Sequence, residues 1–134
     1  MNELRQSIRY PLAVQRECSL CLITFKDLAW TDHKAQLKDI SREGIGIESD
    51  RPIERGFVWF RNRVGGYRGG VLMWSSRSGP NFRAGIQFVP LSRSQEQYVQ
   101  EEVAMVRGHA PLRNPEAIIA TIMDSLARKK GAVQ

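Results

Sequence analysis

Apolar and polar positions alternate along much of the first two-thirds of the chain, the two-residue period of strands that bury one face. From Leu12 to Phe25, Val14, Cys18, Leu20, Leu22 and Thr24 share one parity for most of the run, which predicts a long strand or a bent pair. Asp27 to Lys34 (DLAWTDHK) reads as a turn carrying one exposed or half-buried Trp, and Ala35 to Ile40 as a second strand. In DISREGIGIES, Asp39, Ser41 and Gly44 mark a corner before alternation resumes at Ile45 and Ile47, so two antiparallel strands are expected to meet there. Phe57 to Phe60, Val71 to Trp74 and Ala84 to Val89 are short apolar strands, separated by RNRVGGYRGG and SSRSGPN, both rich in turn residues. About six such strands with no helix between them indicate a small antiparallel barrel or sandwich, whose closure hides the hydrogen-bonding edges.

After Pro90 the period changes. Ser92 can cap a helix running to about Arg107, with Tyr98, Val99, Val103 and Val106 on one stripe. GHAPLRNP interrupts it, and Asn114-Pro115 starts a second helix through about Lys129, with Pro at the first helical position and Arg128, Lys129 and Lys130 suiting its C-terminal dipole. The expected organisation is a leading arm over 1–11, a mainly β barrel over 12–91 and C-terminal helices over 92–134.

With 134 residues, 42% of them hydrophobic and 25% charged, the chain has room for one ordinary globular core. No apolar run approaches the roughly 20 residues of a bilayer span, and MNELRQSIRY is too polar for a secretory signal, so a cytoplasmic protein is expected. Its net charge is +6, and fifteen of its twenty bases are Arg, whose planar fork suits phosphate and guanine edges. No acid occurs between Glu54 and Glu96, a stretch holding Arg55, Arg61, Arg63, Arg68, Arg77, Arg83 and Arg93. An anionic partner is plausible, although a solvated basic face would look the same.

Enzyme signatures are thin. There is no P-loop, HExxH or GxSxG, and His33 and His109 lie in separate loop-like stretches, so neither a catalytic residue nor a cofactor is expected. Cys18-x-x-Cys21 resembles a metal or redox half-site by its letters. Positions three apart on a strand face opposite sides, however, so buried packing is the simpler reading and no metal site is assigned. Trp30, Trp59 and Trp74 read as core or rim aromatics, with base stacking open to any that is exposed.

Two short elements stand out. Arg5-x-x-x-Arg9, followed by Tyr10-Pro11, places two guanidinium forks on an arm with little apolar anchorage. Asp39-x-Ser41-x-x-Gly44 offers a carboxylate, a hydroxyl, and a glycine that allows positive φ or close approach. In this order, with a six-strand pattern behind them, these motifs resemble the PilZ domain family, bacterial receptors for cyclic di-GMP. The resemblance covers about residues 3–100 and includes IERGFVWF, YRGGVLMW and FRAGIQFVPLSRSQEQYV. Leu4 stands where many members carry another Arg, a position linked in the family to whether one ligand or a stacked pair is held. Residues 101–134 match no pattern of the family.

The resemblance implies a six-stranded antiparallel PilZ-like β-barrel that binds cyclic di-GMP through Arg5, Arg9, Asp39, Ser41 and Gly44. The ligand's chemistry agrees: a guanine's O6 and N7 accept from a bidentate Arg, and its N1 and N2 donors suit a carboxylate. Arg5 and Arg9 are expected on phosphate and the O6/N7 edge, and Asp39 on the N1/N2 edge. Ser41 is expected to bond a ligand oxygen or hold the turn, and Gly44 to keep the corner open. The implied role is a non-enzymatic adaptor whose arm closes on the dinucleotide and alters contact with an effector protein. Two alternatives are a basic barrel for single-stranded nucleic acid, centred on Arg61, Arg63 and Arg68 around VGGYRGG, and a ligand-free protein-interaction module.

Overall fold

The computed structural model describes residues 10–24 and 26–133. They form β1 (Tyr10–Thr24), β2 (Ala29–Ile40), β3 (Gly44–Ser49), β4 (Gly56–Val64), β5 (Tyr67–Ser78), β6 (Asn81–Val89), α1 (Arg93–Val103), β7 (His109–Pro111) and α2 (Pro115–Val133). Strands β1, β4, β5, β6, β3 and β2 pair in that order, all antiparallel. Strand β1 pairs back onto β2 and closes a six-stranded barrel. The expected barrel is therefore present. The short β7 adds to it along Ala29–Thr31 of β2, inside a stretch read from sequence as a helix break.

The turns follow from local chemistry. Gly65 and Gly66 sit at φ 58° and 87°, the paired positive values that a two-residue hairpin between β4 and β5 needs. Between β5 and β6 only the first turn position is positive: Gly79 sits at φ 61°, and Pro80, whose ring fixes a negative φ, takes the second. Both hairpins are tighter, and their strands longer, than the turn-rich sequence suggested.

Apolar side chains lie in two layers. Cys18, Leu20 and Leu22 of β1, Ile45 and Ile47 of β3, Val58 and Phe60 of β4, and Ile86 and Phe88 of β6 fill the barrel. Cys21, Ile23, Trp30, Phe57, Trp59 and Val71 point outward, where Val99 and Val103 of α1 and Ile118 of α2 cover them. Strands buried on both faces read as continuous apolar runs, which is why FVWF shows no alternation. Cys18 and Cys21 thus face opposite layers, as their spacing predicts, and burial pushes each thiol up to about 11.

One element differs clearly from expectation. DLAWTDHK is mostly strand, and its Trp30 is fully buried, paired with Ile23 of β1. Polar residues are accommodated in the stretch because they find partners on both faces: Asp32, on the outward face, meets Arg61, and on the other face Thr31 bonds His33 at 2.9 Å. Burying an indole of this size contributes on the order of 2–3 kcal/mol, enough to override the local turn preference.

Helix α1 begins at Ser92 with a reciprocal cap: Gln95 N–H donates to Ser92 Oγ, and Ser92 N–H donates to Gln95 Oε1. It ends at Val103 and carries no base in its last turn. Arg61 of β4 supplies that charge, donating to the carbonyls of Val103 and Val106 at 3.4 and 2.9 Å.

Candidate functional site

Pairing brings four residues from four strands into one row on the outer barrel surface. Asp39 of β2 is the partner of Gly46 of β3, Gly46 of Gly85 of β6, and Gly85 of Trp74 of β5. The two glycines form a floor. A methyl group on Gly46 would lie 2.9 Å from both carboxylate oxygens of Asp39, and one on Gly85 would lie 2.2 Å from Trp74 Nε1. Carboxylate and indole therefore lean over bare backbone from opposite ends of the row. Trp74 is 49% exposed, in contrast to the buried Trp30 and Trp59.

Arg83 borders this row, its guanidinium 3.9 Å from Asp39 Oδ2. Beyond it, Glu48 accepts from Asn81 at 2.7 Å and lies 3.7 Å from Lys38. The Asn81 hydrogen bond, more than the nearby Lys38 and Arg83 charges, holds the Glu48 carboxyl below its ordinary range. A cleft of about 430 Å³ adjoins the row at Glu48, Lys38 and Asn81 but includes none of its four residues. The row itself is an open shelf, and its converging carboxylate, indole and guanidinium make it a better candidate than the larger cleft.

The sequence-predicted site residues separate into three groups. Asp39 lies on the shelf, with a side chain 21% exposed. Ser41 and Gly44 do not face it. Ser41 is buried, its Oγ accepting from the N–H of Glu43 and of Gly44, both at 3.2 Å, while its N–H donates to the Gly44 carbonyl at 2.8 Å. Of the two roles expected for Ser41, the geometry favours holding the turn. Gly44 has no positive φ; a methyl there would lie 2.0 Å from the Ile86 carbonyl oxygen, so the close approach it allows is that of β6. Arg5 and Arg9, with the rest of the expected arm before Tyr10, lie outside the described residues. The chain enters β1 beside Asp39, however: Tyr10 is the partner of Ile40, and Pro11 of Asp39. Among the described residues, strand pairing thus includes Tyr10 and Pro11, which fall in the segment assigned to the arm.

Trp74 is the residue that sequence reasoning left among core or rim aromatics. Its signal was the glycine at position 85, which only register brings opposite it.

The arginines of the nucleic-acid alternative are engaged within the chain. Arg61 also bonds Asp32, at 3.3 Å. Arg63 makes two bonds to Glu96, at 3.0 and 2.8 Å. Arg68 donates to the Phe60 carbonyl and to Gln100, and its guanidinium lies 4.2 Å from the Trp59 ring centroid. These side chains bolt α1 to β4 and β5, leaving few donors for phosphate.

A closed six-stranded antiparallel barrel with a helical pad and an open polar shelf defines a small binding domain. The PilZ domain model matches residues 3–104, and the chain belongs to the PilZ domain family, a family of cyclic di-GMP-binding domains. The match takes in the barrel and α1 and stops before β7 and α2. A comparison with curated proteins finds no match. Among the described residues no helix is long and apolar enough to cross a membrane.

Proposed function

We propose that this chain is a cytoplasmic receptor for cyclic di-GMP that acts as an adaptor, without enzymatic activity. Arg5 and Arg9 grip phosphate and the O6/N7 edge of guanine, and Asp39 accepts from the N1/N2 edge. Ser41 and Gly44 set the corner that holds Asp39 in place. Trp74 offers its plane to a purine at the far end of the shelf, and Arg83 adds positive charge beside it. Closure of the leading segment over the shelf changes the surface offered to an effector protein.

One observation carries this reading: Pro11 pairs with Asp39, so the segment bearing the RxxxR motif joins the barrel at the strand bearing the acidic one. Each residue adds at most about 3.6 Å of reach, and the two motifs can therefore meet over the shelf without rearranging the barrel.

Calorimetric titration with cyclic di-GMP, with cyclic di-AMP as competitor, tests it. Saturable binding is expected, with loss of affinity in Arg9→Ala and Asp39→Ala of about 5- to 150-fold, the range for one bidentate contact of 1–3 kcal/mol. Adenine offers an amino group where guanine has O6, so equal affinity for the two dinucleotides would defeat guanine reading. Unchanged affinity in both variants would remove the site.

A further inference from the structure

We propose that the outer edge of β5, Met73–Ser78, is a docking edge for an extended acidic segment of a partner protein. Strand β4 begins at Gly56, which pairs with Leu72, so beyond Leu72 strand β5 runs on paired, among the described residues, only with β6. All six residues from Met73 to Ser78 are exposed. The two-residue turn at Gly79-Pro80 makes Ser78 and Asn81 the pair that exchanges both hydrogen bonds. Alternation then directs the backbone groups of Ser76 and Trp74 to β6, and turns the N–H and C=O of Ser75 and Arg77 away from it. Among the described residues no backbone bond from another element reaches those four groups.

Unpaired groups in a row are a template for one more strand. Bulky charged side chains usually blunt such an edge, but Ser75, Ser76 and Ser78 are small. Arg77 folds along its own ribbon, donating to the Gly79 carbonyl at 3.3 Å with its guanidinium 5.7 Å from the Phe82 ring. At the base of the edge, Met73 lines an apolar crevice of about 300 Å³ with Val71, Val89 and Leu126, rimmed by Arg55 and Lys129.

Charge selects the occupant. The edge and crevice present Arg77, Arg55 and Lys129, and no acid occurs between Glu54 and Glu96. An incoming strand with acidic side chains finds opposite charge there, whereas a second copy of this chain would bring its own Arg77 and no acid to the same edge. This docking does not depend on the dinucleotide, and its test is made without it.

The probe is an end-blocked peptide, Thr-Glu-Val-Glu-Val-Glu-Thr, titrated into isotope-labelled protein while amide signals are followed by NMR. Saturable movement centred on Ser75 and Arg77 is expected. A peptide with Lys in place of Glu should bind at least about ten-fold more weakly. One N-methylated along its pairing edge should not bind. Ser75→Pro removes an outward N–H without touching the β5–β6 bonds and should weaken binding at least about three-fold. Arg77→Glu, which does not depend on proline being accommodated, should reverse the preference between acidic and basic peptides. Equal binding of the N-methylated peptide, signals moving elsewhere, or no movement would overturn the proposal. So would a dimer in sedimentation that Arg77→Glu or Ser75→Pro dissolves, because the edge would then belong to a second copy.

Discussion

Gly46→Ala separates the floor of the shelf from the stability of the barrel. Gly46 has no positive φ, so alanine fits its backbone, and reduced freedom of the unfolded chain should add about 0.4–1 kcal/mol of stability. The added methyl group, however, sits 2.9 Å from both oxygens of Asp39. Relaxed contacts to carbon begin near 3.5 Å, so the carboxylate must withdraw by roughly half an ångström, which a side-chain rotation can supply. A bidentate pairing with a base edge is worth about 1–3 kcal/mol and depends on alignment. Losing about 1 kcal/mol of it weakens cyclic di-GMP binding about five-fold. Gly44→Ala is the contrasting variant: its methyl group would meet the Ile86 carbonyl oxygen at 2.0 Å, where only separation of β3 from β6 gives relief. That strain should lower stability by about 1–3 kcal/mol or more. Calorimetric titration beside urea denaturation reads both quantities. If Gly46→Ala binds as tightly as the parent chain, or unfolds as easily as Gly44→Ala, the assignment of Gly46 as a floor for Asp39 is wrong.

Three further outcomes are expected. Arg61→Ala removes the bonds to Asp32, Val103 and Val106 and should lower stability by about 2–3 kcal/mol in urea, with helical signal near α1 lost first. Cys18 and Cys21 titrate near 11 in the folded chain against an ordinary 9.0, so the unfolded chain loses its thiol protons first. Stability should therefore fall as pH climbs from 9 towards 11, and Cys18→Ala with Cys21→Ala should flatten that slope. Hydrogen bonding from Arg63, aided by its charge, holds the Glu96 carboxyl below 4.5, so the support it gives is present above that pH and lost as pH falls through the lower folded value. Arg63→Gln should flatten this acid limb in pH-dependent thermal melts.

Much of the architecture is readable from local chemistry. The corner at Ser41–Gly44 uses turn residues that act within four positions of each other, and Ser92 with Gln95 forms its cap from adjacent sequence. The parity of Cys18, Leu20 and Leu22 states which side of β1 faces the barrel. Trp30 defeats this kind of reading, because what buries it lies elsewhere in the chain. Trp59 belongs to the same outer layer, and Val99 and Ile118 come from helices far along the chain.

Sequence alone determined that the chain makes a small antiparallel barrel with trailing helices, carries RxxxR and DxSxxG motifs, and is rich in arginine. It could not say which of those arginines are available: Arg61, Arg63 and Arg68 bind helix to barrel, while Arg83 borders the shelf. Nor could it join Asp39, Gly46, Gly85 and Trp74. Those four positions become neighbours only through the registers of β2 with β3, β3 with β6 and β6 with β5. Two of those registers shift at irregularities, between Leu37 and Asp39 and between Leu72 and Trp74. A one-residue slip would send each side chain to the other face. The shelf is thus a property of the closed sheet, fixed by pairing between distant strands and by no segment acting alone.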